Sequence, residues 1–67
     1  MERFGYGYAE YQRLLEQCPF TDEERRVFDL RRRGLSVVQI GRKLNISPRT
    51  VDRRLDSIKN KIAREMA

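Results

Sequence analysis

The chain has no histidine and a single cysteine, Cys18. Those absences remove the usual means of acid–base and thiol catalysis, because no imidazole is present to take a proton or to activate a thiol. They also leave no ligand set for zinc. A glycine-rich phosphate loop is missing too, and 67 residues leave no room for a cleft. An enzyme is therefore not expected, and neither is a cofactor. One cysteine cannot form an internal disulfide, so Cys18, which follows an amphipathic segment, is expected to pack as a buried side chain. No apolar run approaches the roughly 18 residues that a membrane span requires. The opening Met1-Glu2-Arg3-Phe4-Gly5-Tyr6 carries no apolar signal-peptide core. The expectation is a cytoplasmic protein with no membrane partner. There is no strand signal, internal repeat or low-complexity segment.

What is present is charge, unevenly placed. The net charge is +5. Residues 1–33 balance, and the excess lies in the C-terminal half, where Arg42, Lys43, Arg49, Arg53, Arg54, Lys59, Lys61 and Arg64 face only Asp52, Asp56 and Glu65. Such asymmetry suits a polyanionic partner, and equally a solvated surface. At 39% hydrophobic the chain is too apolar for a disordered tail. A chain this short forms one domain, which buries only about 60% of the surface its unfolded form exposes.

Residues 1–7, with Gly5 and Gly7, show no period and read as a flexible arm. Its Phe4 and Tyr6, with Tyr8 just beyond, can pack on the body or stack on a partner. Tyr8, Tyr11, Leu14, Leu15 and Cys18 recur at helical spacing and predict a first helix. Pro19 ends it by disfavouring helical geometry at the residue before. Thr21-Asp22-Glu23-Glu24 is a capping box, and Phe20 before it is placed to staple against Arg25. Val27, Phe28 and Leu30 supply the buried face of that second helix. Arg31, Arg32 and Arg33 complement its dipole; they can also touch phosphate, but the structural role is the preferred reading. Gly34 is the expected left-handed stop. Ser36 caps a short third helix, Val37 to Leu44, with Gly41 beside its apolar face. Asn45 tolerates the left-handed conformation. Ser47-Pro48 opens the last helix with a cap and a proline at its first position. Val51, Leu55, Ile58 and Ile62 form its buried stripe.

The reading is an all-α, four-helix domain over residues 8–67 that contains a helix-turn-helix. The helix-turn-helix proper covers 36–55 and the recognition helix 48–64. Two capped helices joined by a turn of about three residues project the second helix's N-terminus and outer face, which is what enters a DNA major groove. Opposite the buried stripe fall Arg49, Arg53, Asp56 and Asn60. Thr50, Arg54 and Ser57 lie on one flank and Asp52 on the other. Arg49 and Arg53 are the expected base contacts, since arginine pairs with guanine. Asp52 or Asp56 can accept from cytosine or can orient an arginine through a salt bridge; the second is preferred. Phosphate contacts are expected from Ser36, Gln39, Arg42, Lys43, Ser47, Thr50 and Arg54.

The segment from Phe20-Thr21-Asp22-Glu23-Glu24 through Gly34-Leu35-Ser36 to Ile46-Ser47-Pro48-Arg49-Thr50-Val51 resembles the LuxR-type helix-turn-helix and region 4 of bacterial sigma factors. The resemblance covers Phe20 to Ile62. Gln39 stands where the family often has glutamate and Gly41 where it usually has alanine, neither expected to disturb the packing. The resemblance implies DNA contact by Arg49, Thr50, Asp52, Arg53 and Ser57. LuxR-type domains usually carry a dimerising helix after the recognition helix, whereas a helix before the Thr21 element suits sigma region 4, so the layout favours a free-standing, sigma-region-4-like module. With the other sigma regions missing, a complete sigma factor is not expected. Function is then a sequence-specific double-stranded-DNA-binding transcription regulator of bacterial or phage type. The alternative is an interaction module of the same fold that binds RNA polymerase or a sigma factor. The first helix and the tail of the last can pair two chains into a homodimer, or can pack on each other and close a monomer.

Overall fold

The computed structural model describes residues 6–66, and these form four helices: α1 (Tyr8–Gln17), α2 (Asp22–Arg32), α3 (Val37–Leu44) and α4 (Pro48–Met66). The recognition helix therefore runs slightly past the expected residue 64. Each boundary has a local cause. Cys18 leaves the helix in an extended conformation immediately before Pro19. At the start of α2 the Thr21 hydroxyl accepts from the Glu24 N–H (3.2 Å), and the Glu24 carboxylate accepts from the Thr21 N–H (2.9 Å). At its end Gly34 takes φ 99°. The Gly34 N–H donates to the Arg31 carbonyl (3.0 Å) and the Leu35 N–H to the Leu30 carbonyl (3.2 Å), the two bonds of a Schellman cap.

A second capping box opens α3. The Gln39 side-chain oxygen accepts from the Ser36 N–H at 2.8 Å, and the Ser36 hydroxyl accepts from the Gln39 N–H at 3.2 Å. The oxygen of Gln39, a residue expected at a phosphate, thus satisfies a backbone donor that the helix leaves open, while its amide NH₂ is not used in the cap. Asn45 closes α3 at φ 60°, in the left-handed region.

The core is built around Phe28. Tyr6, Tyr11 and Phe20 meet its ring edge-on, with centroids 5.8, 5.0 and 5.6 Å away. Phe20 thus packs one turn further along α2 than the expected staple against Arg25, which is exposed. Of the arm expected over 1–7, residues 1–5 (Phe4 among them) lie outside the described residues, while Tyr6 is half-buried against Phe28. Val27, Ile40, Val51 and Ile58 are fully buried where α2, α3 and α4 pack together. Tyr11, Leu14 and Cys18 of the first segment join the same core as Ile58 and Ile62 of α4. Most of the two stripes that could pair two chains is thus covered within one, while Tyr8 and Met66 at their ends stay exposed.

Candidate nucleic-acid interface

Helix α4 has three kinds of surface, and burial separates them. Val51, Leu55, Ile58 and Ile62 are buried along its length. Opposite them Arg49, Arg53, Asp56 and Asn60 are exposed, and Asp52 is exposed on one flank. Between lies a half-buried polar flank, Thr50, Arg54, Ser57 and Lys61, most of which is committed to α2.

That flank is organised by two acidic side chains. The Arg54 guanidinium pairs with the Glu23 carboxylate. Glu24, itself buried, accepts from the Ser57 hydroxyl at 2.5 Å and from the Lys61 ammonium at 2.6 Å, besides its capping bond to Thr21. Lys61 also donates to the Pro19 carbonyl at 3.0 Å. Burial by itself would raise the Glu24 pKa. The Lys61 and Ser57 hydrogen bonds, the Thr21 N–H and the Lys61 charge outweigh it and hold the carboxyl at about 2, against an ordinary 4.5. One carboxylate therefore caps α2 and fixes the rotation of α4 against it.

Two of the expected site residues have partners within the protein. Ser57, expected at the base edges, sits in the α2–α4 seam with its hydroxyl engaged by Glu24. Arg54, expected at a phosphate, is neutralised by Glu23. The capping box identifies Glu24 as a cap, but its role against α4 and that of Lys61 are not legible in the sequence. The one available signal was the spacing of Arg54, Ser57 and Lys61 along a single flank, matched to an acidic helix start elsewhere in the chain.

The turn between α3 and α4 is set by backbone proximity. A Cβ on Gly41 would stand 2.7 Å from the Ile46 carbonyl oxygen. The Gly41 carbonyl accepts from the Ile46 N–H at 2.9 Å. The glycine lets the turn approach closer than the family's usual alanine would, so this departure has a structural consequence. Ser47 caps α4, its hydroxyl accepting from the Thr50 N–H at 3.1 Å and lying 3.0 Å from the Thr50 hydroxyl.

An open groove of about 500 Å³ runs between α3 and the start of α4, with Val38, Arg42, Ile46, Ser47 and Pro48 among its lining residues. It brings together Arg42 and Ser47 from the expected phosphate set; Lys43 is exposed outside it. Ser36 and Gln39 are exposed at the start of α3. The arginines ending α2 have structural partners. Arg31 donates to the Leu35 carbonyl at 2.8 Å, Arg32 and Arg33 pair with Asp29, and Arg32 stacks over the Tyr11 ring at 4.5 Å. Asp52 and Asp56 form no ion pair among the described residues, so the arginine-orienting salt bridge is not made.

Two capped helices, a left-handed Asn45 turn, and a second helix locked on its inner face and charged on its outer one define a helix-turn-helix domain. The chain belongs to the luxR family of bacterial regulatory proteins, whose family model matches residues 18–65. The match takes in α2, α3 and nearly all of α4 and begins after α1. It rests on the LuxR side of the resemblance, although the helix before Thr21 had favoured the sigma-region-4 layout. No curated protein and no solved structure matches the chain. No helix among the described residues is long and apolar enough to cross a membrane.

Proposed function

We propose that the chain is a sequence-specific duplex-DNA-binding transcription regulator that inserts the N-terminal half of α4 into the major groove. The observation that carries this reading is the exposed edge of Arg49 and Arg53, one turn apart, on a helix whose opposite side is buried through Val51, Leu55 and Ile58. A helix held that way presents a fixed edge, which is what base readout requires. Arg49 and Arg53 take base edges, where a guanidinium can bond both acceptors of a guanine. Ser36, Gln39, Arg42, Lys43, Ser47 and Thr50 lie around that edge as phosphate contacts that set register. Gln39 contributes its amide NH₂, the oxygen being used in the cap. Arg54 and Ser57 hold the helix in place instead of touching DNA.

The test begins with duplex selected from a random pool by the intact chain. Arg53→Ala is expected to weaken binding to that site by about 1–3 kcal/mol and to relax preference at one base pair. An equal loss on selected and random duplex would make Arg53 a phosphate contact. A chain that retains RNA polymerase or a sigma factor from solution but shows no salt-dependent duplex affinity would favour the interaction-module reading over this one.

A further inference from the structure

The exposed surface of the N-terminal half of α4 carries Arg49, Arg53 and Asp56, with Asp52 on its flank, so its charges cancel. Asp52 and Asp56 have no evident structural reason to be there. Both are exposed and lie beyond the first turn, which holds no acidic residue, so the helix dipole does not account for them. Spacings of three would allow Arg49–Asp52 and Arg53–Asp56 pairs, yet no ion pair of either aspartate forms among the described residues. A carboxylate on a DNA-facing edge is repelled by phosphate, so it lowers affinity for duplex in general unless a donor meets it.

We propose that Asp52 is a specificity-determining residue that accepts from the amino group of a cytosine, which makes G·C-containing duplex the preferred ligand. This rests on the reading of α4 as a major-groove helix. The base edges narrow the choice. In the major groove guanine offers two acceptors and thymine an acceptor and a methyl, and all of these repel or exclude a carboxylate. Adenine offers an amino donor, but its N7 acceptor lies beside it and opposes the second carboxylate oxygen. Cytosine alone presents a donor with no acceptor of its own beside it. Asp52 lies nearer than Asp56 to the helix N-terminus, the end that reaches base edges in this kind of docking. It lies three positions after Arg49, about 4.5 Å along the axis, so the two side chains reach adjacent base steps. Arginines that select guanine and an aspartate that selects cytosine thus define one G·C-rich recognition step.

The experiment measures duplex affinity of the intact chain and of Asp52→Asn on a site selected by the wild type, with each base pair varied in turn. Asparagine keeps the shape, removes the charge and can either accept or donate. The wild type is expected to lose roughly tenfold or more when one particular cytosine is replaced by thymine or adenine. Asp52→Asn is expected to lose that preference while retaining every guanine preference. A uniform rise in affinity for all duplexes, with the base profile unchanged, would overturn the proposal by making Asp52 a purely electrostatic brake. Loss of a guanine preference instead would overturn it by making Asp52 an arginine-positioning residue. Those two outcomes leave the DNA-binding reading intact. A wild-type chain that selects no site removes both.

Discussion

Four hydrogen-bond donors and acceptors of different origin meet at Glu24: a backbone N–H of its own cap, a hydroxyl, an ammonium and the carboxylate they share. The carboxyl is held at about 2 in the folded chain against 4.5 as the ordinary value. Because the folded value is the lower, the unfolded chain binds the proton more readily. The stabilisation is complete above about pH 5 and is lost as pH falls through the folded value near 2. Thermal stability is expected to fall over that window. Glu24→Gln is expected to cost about 3 kcal/mol at neutral pH, since it leaves Lys61 without its partner and the cap without its charge. The variant's acid limb is expected to be shallower than the parent's. An unchanged acid limb in a series of melts from pH 7 to 2.5 would mean that other carboxylates control acid unfolding.

Among the elements, the α3–α4 turn is held by a close backbone approach. Its Ile46 carbonyl oxygen occupies the space that a Cβ at residue 41 would need, and it is a backbone atom that cannot rotate away. Gly41→Val adds helix-unfriendly branching to that clash. The expected cost is about 1–3 kcal/mol, typical of overpacking where the neighbour must move. The urea midpoint reads it directly. An unaltered midpoint would show that the turn shifts outward without penalty, and with it the angle between α3 and α4. The same element shows how far a helical wheel reaches. It separated the buried stripe of α4 from Arg49, Asp52 and Arg53, and the structure keeps that separation. It placed Thr50, Arg54 and Ser57 on one flank but carried no information about what that flank would meet.

At the scale of the whole molecule, α1 decides how the chain closes. Tyr11, Leu14 and Cys18 are buried in one cluster with Ile58 and Ile62. The large hydrophobic side chains left exposed among the described residues are Tyr8, Val38 and Met66, scattered over different helices. A stable dimer buries roughly 800 Å² per partner, more than such isolated side chains supply. Free in solution the chain is expected to sediment as a monomer of 8.0 kDa up to tens of micromolar. Concentration-dependent growth toward twice that mass would place a second copy on α1 or on the end of α4 and bring a palindromic site with it. Charge also changes meaning at this scale. Arg54 and Lys61 belong to the basic excess in the sequence, but both are answered by Glu23 and Glu24 of the balanced half. The cations on offer to a polyanion are fewer than the sequence count.

Where the helices begin and end, and which stripe of α4 is buried, can be read from local sequence. Those features rest on contacts within a few residues: the Thr21–Glu24 cap, the Gly34 stop, the left-handed Asn45, and Ser47 before Pro48. Helical spacing alone carries the stripe from residue to residue. Which polar residues stay exposed and which turn toward the protein became visible only once the helices were packed. Arg54, Ser57 and Lys61 are polar residues on a helix surface and look alike in the sequence. Their partners lie 31, 33 and 37 positions away. Such pairings arise when two helices pack, and the local pattern of either helix does not contain them.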